Sequence, residues 1–150
     1  MILVEFTKQH SDVRTPKYAT AGSACVDLYA WPRVDVPAHA TVVTVGTGLS
    51  VAVPPGHVLL ICSRSGHGFR HGVRLSNCTG IIDSDYRGEI KVQLRRDGDG
   101  WPWDCVGPDT AIAQALLVPI PHMAWREVGT LSTTTRGRSG FGSTDTEGGV

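Results

Sequence analysis

A chain of 150 residues with 41% hydrophobic content can bury one core of ordinary size, and no break in its composition marks a second domain. Fourteen Lys and Arg balance fourteen Asp and Glu, so the whole molecule steers toward neither a nucleic-acid polymer nor an anionic membrane, and any phosphate chemistry must come from locally placed arginines. The opening MILVEFTKQH has no basic lead, no run approaches the ~18 apolar residues of a membrane span, and Cys25, Cys62, Cys78 and Cys105 form no CxxC pair, a pattern that argues against zinc and disulfide frameworks and for an unprocessed, soluble cytoplasmic protein in a reducing cytosol.

Taken in chain order, the apolar runs ILVEF (2–6), ACVDLYAW (24–31), TVVTV (41–45), LSVAV (49–53), HVLLIC (57–62) and IKVQL (90–94) read as short strands. Turn formers stand between them: Pro54-Pro55-Gly56, Asp97-Gly98 and Asp99-Gly100. LSVAV and IKVQL alternate strictly, so each has one buried and one wetter face. This rhythm predicts an all-β sandwich, jelly roll or barrel. DTAIAQALLVPIP (109–121) is ambiguous, because Asp109 can serve as an N-cap and the residues after it are good helix formers. From Thr130 the chain is nearly all Gly, Ser, Thr and charge, which cannot pack a core; the expected organisation is a β domain over 1–130 and a mobile arm over 131–150.

Three stretches carry chemistry. In GIIDSDYRGEIKVQL (80–94), a two-residue turn at Ser84-Asp85 places Asp83 and Tyr86 opposite each other across a hairpin. A carboxylate there can act as general base toward a water, and the aromatic ring can pack against a sugar. In CSRSGHGF (62–69), Arg64, Ser65 and Gly66 follow a buried-looking strand and offer a guanidinium, a hydroxyl and open backbone to an anion. His67 and His71 have the i, i+4 spacing of zinc ligands, but Gly68 stands where the HExxH glutamate belongs. In the tail, GRSGFGST imitates a phosphate-binding loop without its lysine; Arg136 and Arg138 supply charge and Phe141 an aromatic face. Trp101 and Trp103, in DGDGWPW, look exposed and are the best feature for a partner surface, although two tryptophans are more often simple packing.

The order of these stretches matters. PKYATAGSACVDLYA (16–30), RSGHG (64–68), NCTGIIDSDYRGE (77–89), AIAQ (111–114) and RGRSGFGST (136–144) resemble, in register, the five motifs of the trimeric dUTPases. The resemblance implies a jelly-roll-like β fold with one short helix near His67 to His71, AIAQALLVPI as strand, and a flexible Gly-rich arm. It implies a homotrimer whose sites are each built from three subunits, and Mg²⁺-dependent hydrolysis of dUTP to dUMP and pyrophosphate. Carried over by motif, Asp83 is the base that activates water for in-line attack at the α-phosphorus, and Tyr86 packs on the deoxyribose. Backbone around Gly80, Ile81, Ile82 and Lys91, with Asn77 nearby, reads the uracil edge. Arg64, Ser65, Gly66 and Gln114 hold phosphates, and Asp27 reaches the metal through water. Arg136, Phe141, Gly142 and Ser143 close over the nucleotide.

The sequence also departs from the family pattern. Cys25 replaces a glycine, His67 replaces an apolar residue after RSG, Thr110-Ala111 replace an Asp-Arg pair before IAQ, and Ser139 and Asp145 replace arm glycines. A dCTP deaminase shares the general fold, but that family relies on a catalytic Glu and lacks such an arm.

Overall fold

Strict alternation decides most of the architecture. In the computed structural model, which describes residues 2–139, the chain runs β1 (Glu5–Lys8), β2 (Val26–Tyr29), β3 (Val34–Asp35), β4 (Val42–Ala52), β5 (His57–Cys62), α1 (Ser65–His71), β6 (Val73–Leu75), β7 (Thr79–Ile82), β8 (Glu89–Arg96), β9 (Cys105–Val106) and β10 (Ala111–Pro119). The strands form two four-stranded antiparallel sheets, ordered β1-β4-β8-β6 and β2-β10-β5-β7, and a small β3-β9 pair. On β8, Ile90, Val92 and Leu94 are buried while Lys91, Gln93 and Arg95 face out. Their inward partners from the other sheet include Ile61, Ile112, Ala113 and Ala115. Each large aliphatic side chain withdrawn in this way contributes about 1.5–3 kcal/mol of transfer free energy. The result is an all-β, jelly-roll-like fold with one short helix.

TVVTV and LSVAV, read above as two strands, are one. β4 crosses Gly46-Thr47-Gly48 without ending, and its pairing with β8 shifts register between Gly46 and Ser50. The irregularity is mostly buried and is held by side-chain hydrogen bonds. Thr47 donates from Oγ1 to the Ile90 carbonyl at 2.7 Å and accepts from Leu49 N at 3.2 Å. Glu89, with a side chain only 13% exposed, accepts from Gly48 N at 2.9 Å. Gly48 has φ +66°, and a Cβ there would lie 2.6 Å from Val13, so the position needs glycine on both counts.

Other expectations are adjusted. ILVEF contributes only from Glu5 onward, as an exposed edge strand against β4. The 109–121 segment is strand from Ala111, since β2 and β5 flank it on both sides; tertiary pairing overrides helical propensity there. The tryptophans are not a free surface: Trp101 and Trp103 pack partly buried on the core, and Trp101 Nε1 donates to the Ala40 carbonyl at 2.6 Å. All four cysteines are free thiols. After Pro119, residues 120–139 form no strand or helix. Among the described residues no helix is long and apolar enough to cross a membrane.

Candidate active site

The turn expected at Ser84-Asp85 is present, closed by Tyr86 N donating to the Asp83 carbonyl at 3.2 Å. Arg87 braces it: one guanidinium nitrogen donates to the carbonyls of Ser84 and Tyr86, both at 2.8 Å. The Tyr86 hydroxyl donates to the Glu89 carbonyl at 3.0 Å, and the ring folds over Gly88, where a Cβ would come within 2.6 Å of the Tyr86 Cζ. Asp83 is left exposed at the bend.

The flanking strands differ from a simple hairpin. β7 pairs with β5 in one sheet and β8 with β4 and β6 in the other, so the chain switches sheets at this turn. Splaying opens a cavity of about 490 Å³, whose walls include Asn77, Gly80, Ile81, Ile82 and Lys91. β7 is the last strand of its sheet, so its outer edge carries amides and carbonyls that no strand of that sheet pairs. Gly80 permits a tight approach, since a Cβ there would stand 3.1 Å from that of Ile61. Ahead of β7, Cys78 holds φ +62°, a left-handed conformation unusual for a residue with a side chain.

The second group gathers at the opposite end of the β2-β10-β5-β7 sheet. Arg64, at the N-cap of α1, forks onto Asp27: Nε to Oδ1 at 3.0 Å and Nη2 to Oδ2 at 3.3 Å. Nη1 reaches the Ala111 carbonyl at 3.3 Å. His67 joins them, with Nε2 at 2.7 Å from the same carbonyl and 3.2 Å from Arg64 Nη1, and its ring meets Trp103 edge-on at 4.8 Å. Burial, above all, pushes the His67 pKa below its ordinary value, and the neighbouring Arg64 and His71 add to this; the Ala111 hydrogen bond and Asp27 oppose it. Gln114 donates to the Ser63 carbonyl at 2.9 Å and lines a hollow of about 300 Å³ with Cys25 and Asp27. Ser65 and Gly66 lie exposed at the start of α1, where the first two amides have no intrahelical acceptor.

Sheet register relates the two groups. Asp27, Gln114, Cys62 and Thr79 form one row across β2, β10, β5 and β7. β7 runs from Thr79, opposite Cys62, to Ile82, opposite Leu59, a rise of roughly 10 Å at ~3.3 Å per residue. Asp83 continues beyond one end of that span and Arg64 beyond the other, so within a single chain they stand well apart. Arg136 is exposed, in a turn where Ser139 N donates to its carbonyl at 3.2 Å; Phe141, Gly142 and Ser143 lie outside the described residues. The sequence reading missed the Arg64–Asp27 fork, the Arg87 brace and the His67 contacts. Charge complementarity between VDL and SRS was the available signal for the first; the others depend on folded geometry.

A family model described as dUTPase matches residues 11–145. The deoxyuridine 5'-triphosphate nucleotidohydrolase of Dictyoglomus turgidum is 37% identical over 147 residues, covering 96% of this chain and 99% of that one. That of Sinorhizobium medicae is 43% identical over 133 residues, covering 86% and 81%. Among solved structures, a mutant dUTPase of Staphylococcus bacteriophage 80alpha with dUpNHpp superposes with a TM-score of 0.83 at 20% identity, over 96% of this chain and 99% of that one. A mutant dUTPase from phage phi11 of S. aureus, described as coordinating a structural Mg(II) ion, gives 0.74 at 17% identity, over 88% and 100%. Sequence matched from end to end and a fold matched independently agree, and the chain belongs to the dUTPase family.

Proposed function

We propose that this enzyme hydrolyses dUTP to dUMP and pyrophosphate by attack of water on the α-phosphorus, with Asp83 as general base. The cavity between the splayed strands carries the reading, because its wall runs directly into the turn that bears Asp83. Water oxygen bonds to the α-phosphorus, the bond to the bridging oxygen breaks, and pyrophosphate departs; the Asp83 carboxylate takes the proton. Backbone of Gly80, Ile81, Ile82 and Lys91, with the Asn77 side chain, reads the uracil edge and leaves no room for a 5-methyl group. The Tyr86 ring packs on the deoxyribose, crowding out a 2′-hydroxyl. Arg64, Ser65, Gly66 and Gln114 hold phosphates, and Arg136, Phe141, Gly142 and Ser143 close over the nucleotide from an arm beginning near residue 131.

The donor set fits a substrate-borne metal. Among the described residues no three His, Cys, Asp or Glu side chains gather to hold an ion, while Asp27 offers one half-buried carboxylate. Mg²⁺ keeps several waters and takes phosphate oxygens readily, so Asp27 suits contact through water. When bound, the ion offsets triphosphate charge.

The separation of Asp83 from Arg64 supports sites completed between copies of the chain in a homotrimer. Met123 and Trp125, 75% and 89% exposed, add apolar surface that association would cover. Free cysteines fit a cytosolic enzyme. Pyrophosphate release measured with dUTP, dTTP, dCTP and UTP, with and without Mg²⁺, tests the reading. Turnover of dUTP alone, dependent on Mg²⁺, is expected; comparable turnover of dTTP or UTP, or ammonia from dCTP, overturns it.

A further inference from the structure

The fold brings His67, on α1, against Ala111, the first residue of β10. His67 Nε2 stands 2.7 Å from the Ala111 carbonyl, a separation at which Nε2 must carry a hydrogen, because two lone pairs would repel. That assignment means Arg64 Nη1, 3.2 Å away, cannot be donating to His67. Both groups instead aim at the same carbonyl oxygen, Arg64 from 3.3 Å. Three constraints fix the imidazole: the carbonyl in front, Trp103 edge-on at 4.8 Å, and the turn of α1 that carries it. The neighbouring peptide is held as well, since Ala30 N donates to the Thr110 carbonyl at 3.0 Å, and the β2–β10 pairing skips Ile112, a bulge that aims backbone groups out of the regular ladder.

Arg64 therefore lies in a slot with Asp27 on one side and the His67–Ala111 pair on the other. A free arginine side chain samples many rotamers, and one that must meet a phosphate gains from having that freedom removed beforehand. We propose that His67 is a positioning residue for triphosphate binding: buttressed by Trp103 and bonded to Ala111, it holds the Arg64 guanidinium in the orientation that receives phosphate oxygens. It also ties the loop that carries Trp103 to the Arg64–Asp27 group. This inference rests on the reading of Arg64 as a phosphate-holding residue.

The test compares His67→Leu, His67→Gln and Arg64→Ala with the unaltered enzyme, measuring dissociation constants for a non-hydrolysable imido analogue of dUTP and for deoxyuridine, which has no phosphate. His67→Leu removes the N–H, and should weaken analogue binding about tenfold while leaving deoxyuridine unchanged. Glutamine keeps a donor at nearly the same reach and should recover most of the loss. KM should rise more than kcat falls. Equal weakening of both ligands by His67→Leu, no weakening at all, or failure of glutamine to rescue overturns the proposal. Arg64→Ala separates the two layers: if it leaves the analogue unaffected, the phosphate role of Arg64 fails and this inference with it, whereas if it weakens the analogue and His67→Leu does not, only the positioning role fails.

Discussion

Asp83 and Asp85 are chemically identical, two residues apart, and both exposed, yet the fold treats them differently. Asp83 follows directly from the cavity wall at Ile82 and supplies the carbonyl that closes the turn, while Asp85 occupies the tip. If Asp83 takes the proton from water, Asp83→Asn keeps shape and hydrogen bonding but loses the base, and single-turnover rates should fall about 10²- to 10⁴-fold with dUTP affinity retained. Asp85→Asn should change the rate by no more than a few-fold. Equal, small effects in both variants would show that neither carboxylate is the base. Glu89, the third acid of the same stretch, plays a different part. Its carboxylate is turned inward onto Gly48 N and lies 3.4 Å from Lys91 Nζ, so it secures the strand beneath the turn.

At the scale of elements, α1 shows how a seven-residue helix containing two glycines survives. Arg64 O accepts from both His67 N and Gly68 N at 3.1 Å, and the helix stops at Gly72, φ +62°, whose carbonyl accepts from Asp97 N at 2.9 Å. A Cβ at Gly72 would sit 2.7 Å from the Asp97 carbonyl oxygen, a backbone atom that cannot rotate away. Gly72→Ala should therefore cost at least about 1–2 kcal/mol, from left-handed strain plus the contact, lowering Tm by roughly 3 °C or more for each kcal/mol. Calorimetry checks this; an unchanged Tm would mean that the helix end moves freely. Much of the element plan was legible, because LSVAV and IKVQL announce their buried faces by alternation and the Asp83–Tyr86 turn announces itself locally. What was hidden depends on distant partners. Gly46-Thr47-Gly48 reads as a break until Glu89 and Ile90, more than forty residues on, are brought against it. Strand periodicity likewise carries no information about which sheet β7 and β8 join, and so could not reveal the cavity between them.

At the scale of the whole molecule, the described chain holds two groups of proposed site residues that stand apart, one around Asp83 and one around Arg64, Asp27 and Gln114. The proposed homotrimer would bring unlike groups together, and light scattering should report about three times the monomer mass together with activity. A fully active monomer would overturn the assembly. The family motifs made both halves legible as a set, but their separation follows from the antiparallel register of β5 and β7, which no motif encodes. The row Asp27–Gln114–Cys62–Thr79 has one more consequence. Four adjacent strands fix these positions at intervals of about 4.8 Å, and every interval is maintained by ladder hydrogen bonds that also hold the core closed. The backbone spacing of Asp27 and Gln114 within that row cannot drift while the sheet persists. Heat thus reaches that spacing chiefly by melting the sheet, which makes loss of the Asp27–Gln114 arrangement and loss of the fold a single event.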